Sequence, residues 1–560
     1  MTTTAQAIVQ TMIDAGVKRV FTLPGLGVSR TLDRFFDRQD EIDVLLCRTE
    51  IVASVMAQVT GRLTGQPGIF MGQGPFASTL GAFGIMEAHM SGSPMVILTD
   101  DSEYSGYGQY GVYQGMTGEY GTSDVKGALK GITKYCCYAT DPTEAVYGLQ
   151  MAFKHASLPR TGPAALIMKS GIVREEIDET TGPKLYPLDG YLKYTPQNVD
   201  KDAIQELANL IDGAKQPVFV VGNGVLAANA QAAISKLAGD AGIAVATSYN
   251  AKGAVDETAP YAVGMMGNWG CKTANKMVEA ADLVVMVGAS MGPDYTKFRD
   301  PKMIRPGDQT LVQVDIDPRN AGWVYPVDLA ITADAADALG VLAAIGLDTK
   351  NQKQRLDGIA KVQKANGYGE FPEMTARQGS VHPVDIVKAL QRFLGPDDYL
   401  TLDAGANRIF TTVLLRMTAP GQLLASGGIG GMGWGAPAAA AAKLVHPDKR
   451  VTNISGDGGF GIALPTLSAC VQNDIDATFV VSNNQGLGMV RDNLGDKVIG
   501  ANYDNLDFAM IAEGFGCRGM TVTHPDEMLD ALEESHKDGG TTVINVVVDP
   551  EANYIPVMDP

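Results

Sequence analysis

Two short segments near the C-terminal end could together hold a metal-bound anion. Gly456-Asp457-Gly458 follows the apolar run Arg450-Val451-Thr452-Asn453-Ile454-Ser455, and Asn483-Asn484-Gln485-Gly486 follows the run from Ala477 to Ser482. A carboxylate, an amide oxygen and a nearby backbone carbonyl are hard oxygen donors. They suit octahedral Mg²⁺, whose remaining positions are open to water and a diphosphate. The glycines let the backbone approach phosphate oxygens without a side-chain clash. Two other segments carry groups of chemical interest. Cys47-Arg48-Thr49-Glu50 opens a predicted helix, where a lone carboxylate meets the positive end of the helix dipole. The stretch from Ala425 to Pro437 sets Met432 among repeated glycines.

The elements that must position these residues read as alternating strand and helix in three units. In the first, strands are predicted at Arg19 to Leu23, Ile42 to Leu46, Gly68 to Met71 and Pro94 to Thr99. A linker rich in Pro, Asp, Thr and Tyr runs from Glu175 to Asp200. The second unit has strands at Gln216 to Val221, Leu283 to Val287 and Leu311 to Asp315, and a polar linker from Gly346 to Ser380 follows it. The third unit starts at His382. Such alternation predicts an α/β protein of three doubly wound parallel sheets, each covered on both faces. In the third unit a helix from about Leu464 to Asn473 crosses over. It brings Asp457 and Asn484 to the carboxyl ends of two parallel strands, where open sheets bind ligands. Gly222-Asn223-Gly224 lacks a convincing third glycine and downstream acid, so it reads as an ordinary strand–helix turn.

GDG followed by 24 residues (459–482) and then NN resembles the motif of thiamine-diphosphate-dependent enzymes. The resemblance spans the chain. It implies a pyrimidine-binding domain over 1–180, a middle domain over 190–345 and a diphosphate-binding domain over 380–560. It also implies that Asp457, the Asn484 side chain and the Gly486 carbonyl hold Mg²⁺, with Gly456, Gly458, Gly459, Leu487, Gly488 and Met489 around the cofactor. Gly427 to Pro437 is similar to the GGxGxMGxGxPAA stretch of the acetolactate synthase-like branch, which includes pyruvate oxidase and benzaldehyde lyase. There Met432 would wedge beneath the thiazolium, while the Gly430 carbonyl and Met432 N–H grip the aminopyrimidine. Glu50 sits where the family has the glutamate of its R-H-E segment, with Thr49 in place of the histidine; that glutamate hydrogen-bonds the pyrimidine and promotes its imino tautomer. In this family the pyrimidine domain of one chain meets the diphosphate domain of another, so a homodimer is the least active unit and a homotetramer the usual state.

The substrate is less defined. Gly72-Gln73-Gly74-Pro75-Phe76-Ala77 resembles a GPG loop whose last glycine is replaced by Phe76, a ring that should narrow the pocket. Gln114 resembles a glutamine that faces substrate. Leu26, Gly27, Gln73, Phe76, Gln114, Met489 and Arg491 are the expected pocket residues. None of the six histidines falls in the loop Leu23 to Gly27, so proton transfer is expected to use the cofactor's amino group, water or Gln114. The stretch Gly288 to Lys297 lacks the arginine that acetolactate synthases carry there, and Arg491-Asp492-Asn493 lacks their acceptor-selecting tryptophan. Both departures count against FAD and against a strict acetolactate synthase. The expected activity is making or breaking a C–C bond of a 2-oxo acid or aldehyde. The alternatives are a 2-hydroxyacyl-CoA or benzaldehyde-type lyase, and a catalytically silent cofactor-binding paralogue.

Composition sets outer bounds. Hydrophobic residues make up 45% and charged residues 19%, ordinary for a folded chain of 560 residues. A net charge of −19 argues against nucleic acid and against an anionic membrane surface. Six cysteines without metal spacing read as reduced thiols. With no apolar run of membrane-spanning length, a cytoplasmic location is expected.

Overall fold

A computed structural model describes residues 2–101, 113–119, 121–169, 171–178, 180–537 and 539–559. Among them, three six-stranded sheets are present and every strand pairing is parallel. The strands are short and buried on both faces, as runs such as Pro217-Val218-Phe219-Val220-Val221 require once helices cover each side.

The order of strands in each sheet decides where ligands can enter. In the first sheet the sequence is Asp43–Leu46, Arg19–Leu23, Gly68–Gly72, Met95–Asp100, Pro163–Met168 and Tyr135–Ala139. Connections leave Arg19–Leu23 on one side and resume at Gly68–Gly72 on the other, so a crevice opens beyond those two carboxyl ends. The third sheet runs Leu423–Ala425, Tyr399–Leu402, Val451–Gly456, Thr478–Asn483, Thr542–Val547 and Arg518–Val522. Its reversal falls between Tyr399–Leu402 and Val451–Gly456. In the middle sheet the reversal falls between Pro217–Val221 and Leu283–Val287. There the two backbones touch: a Cβ on Gly222 would lie 2.0 Å from the Gly288 carbonyl oxygen. Close packing of the two turns accounts for the glycines of Gly222-Asn223-Gly224.

The second predicted linker is only partly irregular. Gln352–Ala365 is a helix, held against the middle domain by Arg355, whose guanidinium donates to the carbonyls of Ala241, Ile211 and Ala214. Its sparse apolar residues hid it from periodicity. The first linker carries one short helix, Asp189–Leu192.

The outer domains are joined through Gly435–Val445, a helix whose residues Gly435 to Ala442 are all buried. Small alanine side chains let it lie close against Glu50–Thr64. Trp434, fully buried, donates from Nε1 to Gln58 Oε1 at 3.0 Å. No helix among the described residues is long and apolar enough to cross a membrane.

Candidate active site

At the switch point of the third sheet lies a cavity of about 590 Å³. Gly456, Asp457, Gly458, Gly459, Asn484, Gly486, Leu487, Gly488, Met489, Gly430 and Met432 all line it. The register Gly456↔Ser482 sets the two strand tips side by side, so the crossover geometry follows from the parallel pairing. Asp457 opens the helix Asp457–Ala463 and is buried. Its carboxylate accepts from Gly458 N at 2.7 Å, Gly486 N at 3.1 Å and the Tyr503 hydroxyl at 2.8 Å. Burial pushes this carboxyl up from its ordinary value, and the Tyr503 hydroxyl and the backbone amides pull it back.

The Asn484 amide sits between an acceptor and a donor, 2.7 Å from the Gly486 carbonyl oxygen and 3.0 Å from Arg491 Nη2. With the amide nitrogen toward the carbonyl and the amide oxygen toward the guanidinium, both contacts are hydrogen bonds. A divalent ion would favour the opposite face, with the amide oxygen joining the Gly486 carbonyl and the Asp457 carboxylate as hard donors. Among the described residues no three His, Cys, Asp or Glu side chains converge as a metal cluster. A metal here therefore depends on amide, carbonyl and ligand oxygens, a donor set that fits magnesium diphosphate. Space is reserved in the same way. A Cβ on Gly458 would meet Tyr503 Oη at 2.8 Å, and one on Gly488 would meet the Asn484 side-chain amide at 2.5 Å.

The glycine-rich loop is fixed by two acids that sequence reasoning missed. Asp403, fully buried at the end of Tyr399–Leu402, accepts from Gly433 N at 3.0 Å and from Ala404 N at 2.7 Å. Burial pushes its carboxyl up to about 6 against those bonds. Glu87, from the first domain, takes Ser426 Oγ at 2.7 Å, Ile429 N at 2.9 Å and Gly428 N at 3.2 Å. Gly430 and Gly433 have φ of +61° and +90°, conformations that favour glycine. They leave Met432 about one-third exposed at the cavity wall. Asp403 follows a strand end as Asp457 does, so the strand pattern could have found it. Glu87 gives no such signal, because its partners lie in another domain.

The remaining predicted residues do not line this cavity. Glu50 begins the helix Glu50–Thr64, with Thr49 as N-cap accepting from Val52 N at 3.2 Å. The threonine thus has a local structural role in place of the expected histidine. Glu50 is buried, and desolvation raises its carboxyl. The others gather at the switch point of the first sheet. Gln73 donates to Gln114 Oε1 at 2.8 Å. A Cβ on Gly25 would strike Gln73, and one on Gly27 would strike Asp100. Leu26 and Phe76 are exposed beside them. Arg491 is engaged elsewhere, with Nη1 3.4 Å from both the Asn484 carbonyl and Asn502 Oδ1.

Family models match all three units: a thiamine pyrophosphate enzyme N-terminal TPP binding domain over residues 2–121, a central domain over 204–342 and a C-terminal TPP binding domain over 403–546. The chain belongs to the thiamine pyrophosphate enzyme family. Relatives extend across the whole of this thiamine-diphosphate enzyme. A probable acetolactate synthase large subunit from Methanocaldococcus jannaschii is 29% identical, over 99% of this chain and 93% of the relative. The acetolactate synthase large subunit of Corynebacterium glutamicum is 28% identical over 99% and 88%. An isozyme 1 large subunit from Escherichia coli is 26% identical over 100% and 96%.

Proposed function

We propose that this thiamine-diphosphate enzyme decarboxylates a 2-oxo acid and joins the retained fragment to a second carbonyl, in the manner of an acetolactate synthase, with Mg²⁺ as its metal. The observation that carries the reading is the single cavity shared by Asp457, Asn484 and Gly486 with Gly430 and Met432. Relatives named acetolactate synthase over nearly the whole chain supply the substrate class.

When bound, thiamine diphosphate supplies the nucleophilic carbon and the electron sink. The protein's contribution is position and electrostatics. Asp457, the Asn484 amide oxygen and the Gly486 carbonyl would hold the metal, which would supply positive charge for the diphosphate. Gly430 and Met432, fixed through Asp403 and Glu87, present a rigid backbone edge and an apolar wedge. Glu50 carries a carboxyl raised by burial, suited to holding a proton at the pyrimidine ring nitrogen.

Glu50, Gln73, Phe76 and Gln114 stand outside this chain's own cavity, which supports an active unit in which they meet the cavity of a second copy. A homodimer is then the smallest active form, and a cytoplasmic homotetramer accompanies this reading; no flavin is included in it. Incubation with thiamine diphosphate, Mg²⁺ and a panel of 2-oxo acids and aldehydes, with products identified by mass, tests the proposal. Turnover of a 2-oxo acid that collapses in Glu50→Gln is expected. No turnover of any donor, with wild type and variant alike, refutes it.

A further inference from the structure

A second cavity, of about 280 Å³, opens between the middle and C-terminal domains, and Arg408 and Gly430 line both cavities. Arg408 lies in the helix Ala406–Leu414, which starts just beyond Asp403. Its guanidinium carbon sits 4.8 Å from the centre of the Tyr249 ring. Among the described residues no carboxylate comes within ion-pair distance of it; Asp294 lines the same smaller cavity without pairing. Met265, Met266, Trp269 and Tyr295 complete an apolar and aromatic wall.

The charge of Arg408 is felt by Asp294, which lies beyond ion-pair distance, so a bound carboxylate would be the guanidinium's first ion-paired partner among the described residues. The planar fork of a guanidinium matches a carboxylate in two parallel hydrogen bonds. Gly430 is where the backbone edge for the cofactor's aminopyrimidine is assigned, so an anion at Arg408 would lie beside the reacting end. Arg491, the other candidate, is already tied to Asn484 and Asn502. The middle-domain stretch Gly288 to Lys297 offers no arginine.

We infer that Arg408 receives the carboxylate of the 2-oxo acid and that the smaller cavity houses the substrate's side chain. This rests on the function proposed above and names the residue that selects its substrate class. It shifts carboxylate recognition from the middle domain to the helix that follows Asp403.

The test compares wild type, Arg408→Gln and Arg408→Lys as full-length, cofactor-loaded proteins. Arg408→Gln is expected to raise KM for the 2-oxo acid by about 10–100-fold, the range for losing a charged hydrogen-bonded pair. Arg408→Lys, which keeps the charge, should recover part of that loss. The thiamine diphosphate dissociation constant, measured by calorimetry, should not move. Titration of cofactor-free protein with the 2-oxo acid should change the emission of Trp269 in wild type and not in Arg408→Gln. An unchanged KM in Arg408→Gln overturns the inference while leaving the functional proposal standing. A fall in cofactor affinity with KM intact assigns Arg408 to the diphosphate and also overturns it. A flavin that co-purifies and is lost in the variant does the same. Absence of wild-type turnover removes the functional proposal and this inference with it. Should Arg408→Gln fail to fold, KM and the emission titration of Arg408→Lys against wild type decide: a raised KM with a weaker emission response supports the inference, and values equal to wild type overturn it.

Discussion

Replacing Glu87 by glutamine would keep the shape of a fully buried side chain while removing its charge and one of its acceptors. Three donors from the glycine-rich loop converge on the carboxylate: Ser426 Oγ at 2.7 Å, Ile429 N at 2.9 Å and Gly428 N, 3.2 Å from each oxygen. Glutamine can satisfy the two backbone amides only with a neutral oxygen, and its NH₂ faces Gly428 N where an acceptor stood. Hydrogen bonds to a charged group contribute roughly 1.5–3 kcal/mol each, against about 1 kcal/mol for neutral ones. Weakening two and disturbing a third amounts to about 3 kcal/mol. The half-buried Arg62 guanidinium, donating to the Ala425 and Asn250 carbonyls, also loses the negative charge that opposes its desolvation. For a domain of this size the loss corresponds to a fall in melting temperature of roughly 6–12 °C. Scanning calorimetry of wild type and Glu87→Gln measures it, and turnover should drop as well because the loop carries Gly430 and Met432. An unchanged melting temperature and unchanged turnover would refute the reasoning that Glu87 anchors the loop.

Glu50→Gln should lower kcat by about 10²–10⁴-fold, the range for losing a general acid–base group, while calorimetric cofactor binding persists. Gly458→Ala and Gly488→Ala should each weaken cofactor binding, because a Cβ would press on Tyr503 Oη at 2.8 Å or on the Asn484 side-chain amide at 2.5 Å; titration of cofactor into each variant reads it. His536 makes stability pH-dependent. Burial beside Phe393 holds its imidazole down to about 4 from 6.5. The unfolded chain therefore takes the proton first, and stability is complete above about pH 6.5 and falls as pH drops toward 4. The loss should be on the order of 2 kcal/mol after allowing for partial exposure. Urea denaturation at pH 7 and pH 5 should show the decline in wild type and a smaller one in His536→Gln.

Much of the architecture could be read from the chain, because parallel strands buried on both faces are nearly continuous apolar runs. Arg19–Leu23 and Leu283–Val287 appear just as their residues suggest, and the other predicted strands shift by a residue or so at their ends. Asp457 and Asn484 were legible for the same reason, since each sits directly after such a run. The helix Gln352–Ala365 was not, because Arg355 holds it by hydrogen bonds to distant carbonyls rather than by an apolar stripe. Asp403 directly follows a strand and carried the same signal as Asp457, whereas Glu87 and Tyr503 were missed because their roles depend on partners that only the fold brings near. The crowding at Gly27 by Asp100 has the same origin.

Titrating thiamine diphosphate into the protein by calorimetry, with and without Mg²⁺, for wild type and Asp457→Ala, tests the central claim most directly. The strand-tip site predicts binding that requires the metal in wild type and is lost in Asp457→Ala, with the fold intact by circular dichroism. Binding of equal strength in both proteins, or binding indifferent to Mg²⁺, would contradict it.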